Sequence, residues 1–128
     1  MKKVLSILVI VLAFSFNSNA QDKMLKQPVK KIALEQTTGE FTQKSITVSE
    51  GTYVFDVANN NVGKDVGLVL VKKGMDASKP ENHIQTAYVT AAVKNNTVGH
   101  SKETKLEKGE YVYFCPLNPT PQYSLIVE

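Results

Sequence analysis

The chain has 128 residues, 15 of them basic and 12 acidic, with 42% hydrophobic residues and one cysteine. That length holds one domain of ordinary size, and a lone cysteine excludes an internal disulfide, so stability has to come from a hydrophobic core. Every basic residue is Lys and none is Arg. A near-neutral, Lys-only surface is poorly suited to bidentate phosphate and guanine contacts, which argues against nucleic acid as a partner.

The chain opens with Met1-Lys2-Lys3, an apolar run from Val4 to Phe14, and Ser18-Asn19-Ala20 ahead of Gln21. A basic n-region, an apolar h-region and a small-x-small site identify residues 1–20 as a secretory signal peptide by pattern. Cleavage is expected between Ala20 and Gln21, giving a secreted or periplasmic mature chain. The apolar run is shorter than the roughly 20 residues that span a bilayer, so no membrane span is expected in the mature chain. Loss of Lys2 and Lys3 leaves 13 basic against 12 acidic residues, a net charge of +1. Residues 21–28 are polar and read as a flexible lead-in to a single domain over 29–128.

From Val29 onward the pattern is β. Val29 to Glu35 reads as a first strand, closed by a turn at Thr38-Gly39, and Phe41 to Val48 as a second. Tyr53, Phe55 and Val57 alternate with polar or small residues, the period of a half-buried strand. Asn59 to Gly63 is a loop by composition, and Gly67 to Val71 is an apolar run fit for a strand buried on both faces. Ser78 and Glu81 then have capping-box spacing around Pro80. Ile84, Ala87, Tyr88, Ala91 and Ala92 follow at helical spacing, so a short helix is expected here, against the β-branched Val89, Thr90 and Val93. His100 reads as part of a turn. Strands resume at Thr104–Leu106, Tyr111–Cys115 and Tyr123–Val127, with a three-proline loop from Pro116 to Pro121 before the last. Short, evenly spaced strands predict an all-β Greek-key sandwich of about seven or eight strands with one short helical insertion.

Two stretches resemble the cupredoxin (blue, type 1 copper) family. One is Phe41-x4-Ile46-x-Val48-x2-Gly51-x-Tyr53-x-Phe55-x-Val57-x-Asn59, similar to the family's opening hairpin. The other is Leu106-Glu107-Lys108-Gly109-Glu110-Tyr111-Val112-Tyr113-Phe114-Cys115-Pro116, similar to the run into its copper-binding cysteine. The resemblance spans about Val29 to Glu128 and implies a cupredoxin-like sandwich. It also implies a copper held by two His, one Cys thiolate and a weak axial Met, a soft donor set suited to that metal. Here the resemblance places Val66 and Asn118 at the two His positions and Pro121 at the Met position, so of the four ligands Cys115 alone remains.

These residues imply a degenerate copper site, with no cofactor expected, and a binding or interaction domain rather than an enzyme. Val66, Pro116, Leu117, Asn118, Pro119 and Pro121 form the candidate patch for a protein partner, since in cupredoxins an apolar patch around the ligand loop docks redox partners. The alternative is an atypical copper-binding or electron-transfer protein that uses Cys115 with His100 or His83; either histidine with Cys115 and Met75 is the candidate set for a displaced copper or zinc site. Cys115 is otherwise expected to be a buried thiol, and both histidines to be solvent-exposed. A Cys115–His100 nucleophile pair is the remaining catalytic candidate, without a supporting motif.

Overall fold

The computed structural model describes residues 28–128. The signal-peptide pattern over 1–20 and residues 21–27 of the lead-in lie outside the described residues. Among the described residues nine strands run in chain order: β1 (Val29–Thr37), β2 (Glu40–Phe41), β3 (Ser45–Val48), β4 (Gly51–Asn59), β5 (Val69–Lys72), β6 (Val98–His100), β7 (Thr104–Leu106), β8 (Gly109–Phe114) and β9 (Tyr123–Val127). The count exceeds the expected seven or eight because β6 stands where a turn was read and the stretch Phe41–Val48 is split. Its first residues pair with β1, whereas Ser45–Val48 pair with β9, so the chain changes sheets between them.

One sheet has the order β2-β1-β4-β6, with β7 also paired to β4; the other has the order β3-β9-β8-β5. β4 is the spine of the first sheet. Its start, Gly51–Tyr53, pairs with β7, its end, Asp56–Ala58, pairs with β6, and β1 runs parallel along its other edge. The β1–β4 and β3–β9 pairs are parallel, while β5, β8 and β9 are joined by antiparallel ladders. This is the Greek-key sandwich that the strand pattern predicts.

Alternation sends one side-chain row of each strand inward. Ile32 and Leu34 of β1, Tyr53, Phe55 and Val57 of β4, Tyr111 and Tyr113 of β8, and Leu125 and Val127 of β9 are all buried. Burying an aliphatic or aromatic side chain of this size contributes about 1.5–3 kcal/mol. Three of these rows then end on a polar or sulfur-bearing residue without changing phase. Gln36, Asn59 and Cys115 are the next inward positions of β1, β4 and β8, and all three are buried. The core therefore gathers Gln36, Asn59 and Cys115 at one end, while Ser101 and Thr104 are buried polar residues beside β4, farther along it.

The expected helix after Ser78 is not an α-helix. Two 3-10 turns stand there, Pro80–Asn82 and Gln85–Ala87, separated by extended backbone at His83 and Ile84. The backbone here divides between local 3-10 bonds and bonds to neighbouring strands, with no continuous helical ladder. Ile84 N–H donates to Leu70 O at 2.8 Å, and single bridges link Val71 to His83, Val89 to Ser101 and Val66 to Val93. The β-branched residues favour this extended course. As a result Ala87 is buried while Ala91 and Ala92 are exposed, so the helical face has no counterpart.

Candidate functional site

Cys115 lies at the polar end of the core, 1% exposed, just past the end of β8. Its Sγ accepts two backbone hydrogen bonds, from Gly67 N–H at 3.3 Å and from Asn118 N–H at 3.2 Å. The loop after it is closed on Thr120, by side chain and main chain: Cys115 N–H donates to Thr120 Oγ1 at 3.0 Å, and Thr120 N–H returns to Cys115 O at 3.3 Å. Gly67 belongs to the connection between β4 and β5, so sulfur joins two segments 48 residues apart.

Two carboxamides complete this end. Asn118, 1% exposed, donates from Nδ2 to Gln36 Oε1 at 3.0 Å and to Thr37 O at 2.9 Å, while its Oδ1 accepts Gly39 N–H at 2.7 Å. Gly39 sits in the β1–β2 turn at φ +76°, a conformation suited to glycine. Gln36, fully buried, donates from Nε2 to Gly67 O at 2.8 Å. Asn59 pins the adjoining loop: its Nδ2 reaches Lys64 O at 2.7 Å and Val93 O at 3.0 Å, and its Oδ1 accepts Val62 N–H at 3.1 Å. Among the described residues no buried side-chain nitrogen or oxygen lacks a hydrogen-bond partner.

The candidate residues do not assemble into the copper set that the resemblance implies. Val66, at the first imidazole position, is a fully buried aliphatic side chain with no lone pair to offer. Asn118, at the second, has its carboxamide oxygen and nitrogen engaged as above. Pro121, at the thioether position, is exposed and has no donor atom in its ring. Among the described residues no group of three or more His, Cys, Asp and Glu side chains is placed to hold a metal ion. The donors around Sγ are N–H groups, whereas a metal needs lone pairs. The residues at these positions do not fit a type 1 copper.

Neither histidine turns toward the cysteine. His100, in β6, stands opposite Asp56 and shares a 2.7 Å contact from Nδ1 to Asp56 Oδ1. Asp56 alternates with buried Phe55 and Val57, so this pair is on the outer face of its sheet while Cys115 is inside. Lys31 adds an ion pair to the same carboxylate at 3.7 Å. His83 is half-buried rather than solvent-exposed: its Nδ1 lies 2.6 Å from Tyr88 Oη and its Nε2 2.7 Å from Ala77 O. Its ring also packs edge-on against Tyr88 and Phe114. Met75 is 49% exposed in the turn after β5, beyond the end of that strand remote from Cys115.

The six-residue patch divides. Pro116, Leu117, Pro119 and Pro121 are exposed, with Leu117 at 49%, but Asn118 and Val66 are buried and are not free surface. Beside Leu117 opens a mainly apolar groove of about 370 Å³. Gly67, Tyr88, Val89, Ala92, Pro116 and Leu117 line it, and Val66 contributes from beneath the surface. A larger, more polar hollow of about 460 Å³ lies at the opposite end of β4, between Glu50, Lys105 and Glu107. Gln36, absent from the sequence-derived candidates, is at the centre of the Cys115 end. Its one local signal is phase, since it extends the inward row of Ile32 and Leu34.

No protein-family model matches the chain, and no curated protein matches it. Solved structures do. Auracyanin B superposes with a TM-score of 0.61 at 20% identity, covering 80% of this chain and 91% of that one. Auracyanin A, a "blue" copper protein from Chloroflexus aurantiacus, gives 0.56 at 20% identity over 79% and 100%. Dithionite-reduced auracyanin from Roseiflexus castenholzii gives 0.57 at 17% identity over 77% and 97%. The chain has the cupredoxin fold.

Proposed function

We propose that this cupredoxin-fold chain is an exported binding domain that docks a partner protein at its Cys115 end, without type 1 copper and without an enzymatic step. The observation that carries the reading is the open apolar groove beside half-exposed Leu117, on the loop that follows Cys115. Its volume is at the small end for a specific site, enough for one or two apolar side chains of a partner. An exposed leucine directly after Pro116 and two residues before Pro119 costs little to order on binding, because the prolines have already restricted the backbone around it. The copper reading draws on auracyanin A, a "blue" copper protein. Against it stand Val66, Asn118 and Pro121, which supply no imidazole and no thioether.

Two measurements test the proposal. Titration of the purified protein with Cu(I) and Cu(II), followed by visible spectrum, thermal shift and metal stoichiometry, is expected to show no stoichiometric uptake. Uptake that is lost in Cys115→Ser overturns the metal-free reading. Leu117→Asp is expected to keep the wild-type Tm and to lose partners captured from native periplasmic extract, and an unchanged capture profile sinks the docking surface. Export is checked by sequencing the N-terminus of the secreted product, expected to begin at Gln21.

A further inference from the structure

A metal held from positions 66, 115 and 118 would tie the β4–β5 connection to the β8–β9 loop. The same segments are tied here by a closed ring of hydrogen bonds. Gln36 Nε2 donates to Gly67 O at 2.8 Å, Gly67 N–H to Cys115 Sγ at 3.3 Å, Asn118 N–H to the same sulfur at 3.2 Å, and Asn118 Nδ2 to Gln36 Oε1 at 3.0 Å. We infer that Gln36 and Asn118 do the mechanical work that a metal held at those positions would do, locking this end of the sandwich and presetting the groove wall.

Chemistry suits the carboxamide to this task. Each carries a donor and an acceptor on one planar group, so Gln36 satisfies Gly67 O and receives Asn118 within a single side chain. An imidazole–metal–thiolate set joins its segments through lone pairs; the ring joins them through N–H donors and spends the Gln36 oxygen in doing so. It also reaches a third segment that positions 66, 115 and 118 do not include, the end of β1 and its turn into β2, through Thr37 O and Gly39 N–H. Both sheets are thereby joined at their polar end, because Gln36 belongs to one and Cys115 continues a strand of the other.

The groove depends on the same ring. Gly67 is held on both its N–H and its C=O, and Asn118 is held directly after Leu117. An added Cβ on Gly67 would lie 3.8 Å from Leu117 Cδ1 and 4.0 Å from Val89 Cγ2, so Gly67 is in packing distance of both groove walls. Fixing Gly67 and Asn118 fixes the wall between them before any partner arrives, which lowers the ordering cost of binding.

The inference rests on the metal-free reading, and its test separates the two. Gln36→Leu keeps the approximate size and leaves Gly67 O without its buried partner. Relative to wild type, its Tm is expected to fall by about 10 °C. Cys115 in the folded variant is expected to react with an aromatic disulfide reagent about tenfold faster. An unchanged Tm with an equally shielded thiol overturns the tie. Should Gln36→Leu not fold, hydrogen exchange on the wild-type protein decides. The Gly67, Gly39 and Asn118 amides, all outside strands, are expected to be protected as strongly as those of β8, and exchange at the rate of open loops overturns the tie. Stoichiometric copper uptake by the wild type overturns the metal-free reading, and the Gln36→Leu result then judges the tie by itself.

Discussion

A Cβ placed on Gly99 would stand 2.5 Å from Cγ2 of Val93. Gly99 sits in β6 opposite Val57, and Val93, 2% exposed, bridges to Val66 on the other side. Glycine is required here for space, since only its missing side chain lets β6 close over Val93. Gly99→Ala is expected to destabilise by about 2–3 kcal/mol through overpacking. Val93→Ala alone costs about 1–2 kcal/mol as a cavity. Because the same methyl group is the obstacle, the double variant should lose clearly less than the sum of the two. Urea denaturation of the four proteins measures this, and strict additivity would count against the contact.

Ser101 plays a different part in the same region. Although only 6% exposed, its hydroxyl accepts Phe55 N–H at 2.8 Å and donates to Lys102 O at 2.8 Å. It completes the β4 edge just past the point where β6 ends. Ser101→Ala strands a buried amide of the core strand, at an expected cost of about 1–3 kcal/mol. Ser101→Thr keeps the hydroxyl, so its stability should fall between the two. An alanine variant as stable as wild type in chemical denaturation contradicts this role.

Tyr113 makes alkaline stability a direct readout of burial. Loss of solvent first, and the neighbouring Tyr123 second, push its phenol from 10.0 up to about 12. In the folded state the neutral hydroxyl donates to Gln43 O at 2.6 Å. A raised phenol keeps its proton in the folded state after the unfolded chain has lost it. Its contribution is therefore fully present below pH 10 and is lost as pH rises from there through about 12. Tyr113→Phe should be less stable at neutral pH, since Gln43 O loses its donor. The gap to wild type should narrow across that alkaline window, and denaturation curves at several pH values check it. A gap that stays constant would mean that Tyr113 titrates as an exposed phenol.

Much of the fold was legible because it is written in period two. Thr104–Leu106 and Tyr123–Val127 are strands at their expected bounds, and the row Tyr111–Tyr113–Cys115 does point inward. What misled was the insertion, where Ile84, Ala87 and Tyr88 have helical spacing, yet Ile84 N–H bonds to Leu70 O on β5 and the amides of Ala87 and Tyr88 close only a single 3-10 turn. Local pattern cannot register an Ile84 N–H committed to Leu70 O. The Cys115 end was legible by half. Its thiol stood out as the lone cysteine, yet Gln36, in phase with Ile32 and Leu34, falls just past the expected strand end at Glu35, and its partner Asn118 is 82 positions away. Carboxamide pairs have no characteristic spacing, unlike metal ligands on a short loop. A buried glutamine closing an apolar row is nonetheless a readable sign that something polar lies opposite.

Phe41 shows how a two-residue strand can anchor the sandwich. β2 pairs with β1 at only two positions, so its backbone contributes little. Its side chain is fully buried, however, and meets Tyr113 edge-on at 5.0 Å and Tyr123 at 5.7 Å, both on the opposite sheet. One ring from the first sheet thus clasps two from the second, near the point where the chain crosses between them. Phe41→Ala should cost about 3–5 kcal/mol. Most of that is lost burial and the cavity left behind, so Phe41→Leu should recover the larger share. The remainder is aromatic geometry, worth about 0.5–1.5 kcal/mol per ring pair beyond area. A double-mutant cycle of Phe41→Leu with Tyr123→Leu isolates that term, and a coupling near zero would reduce Phe41 to simple filling of space.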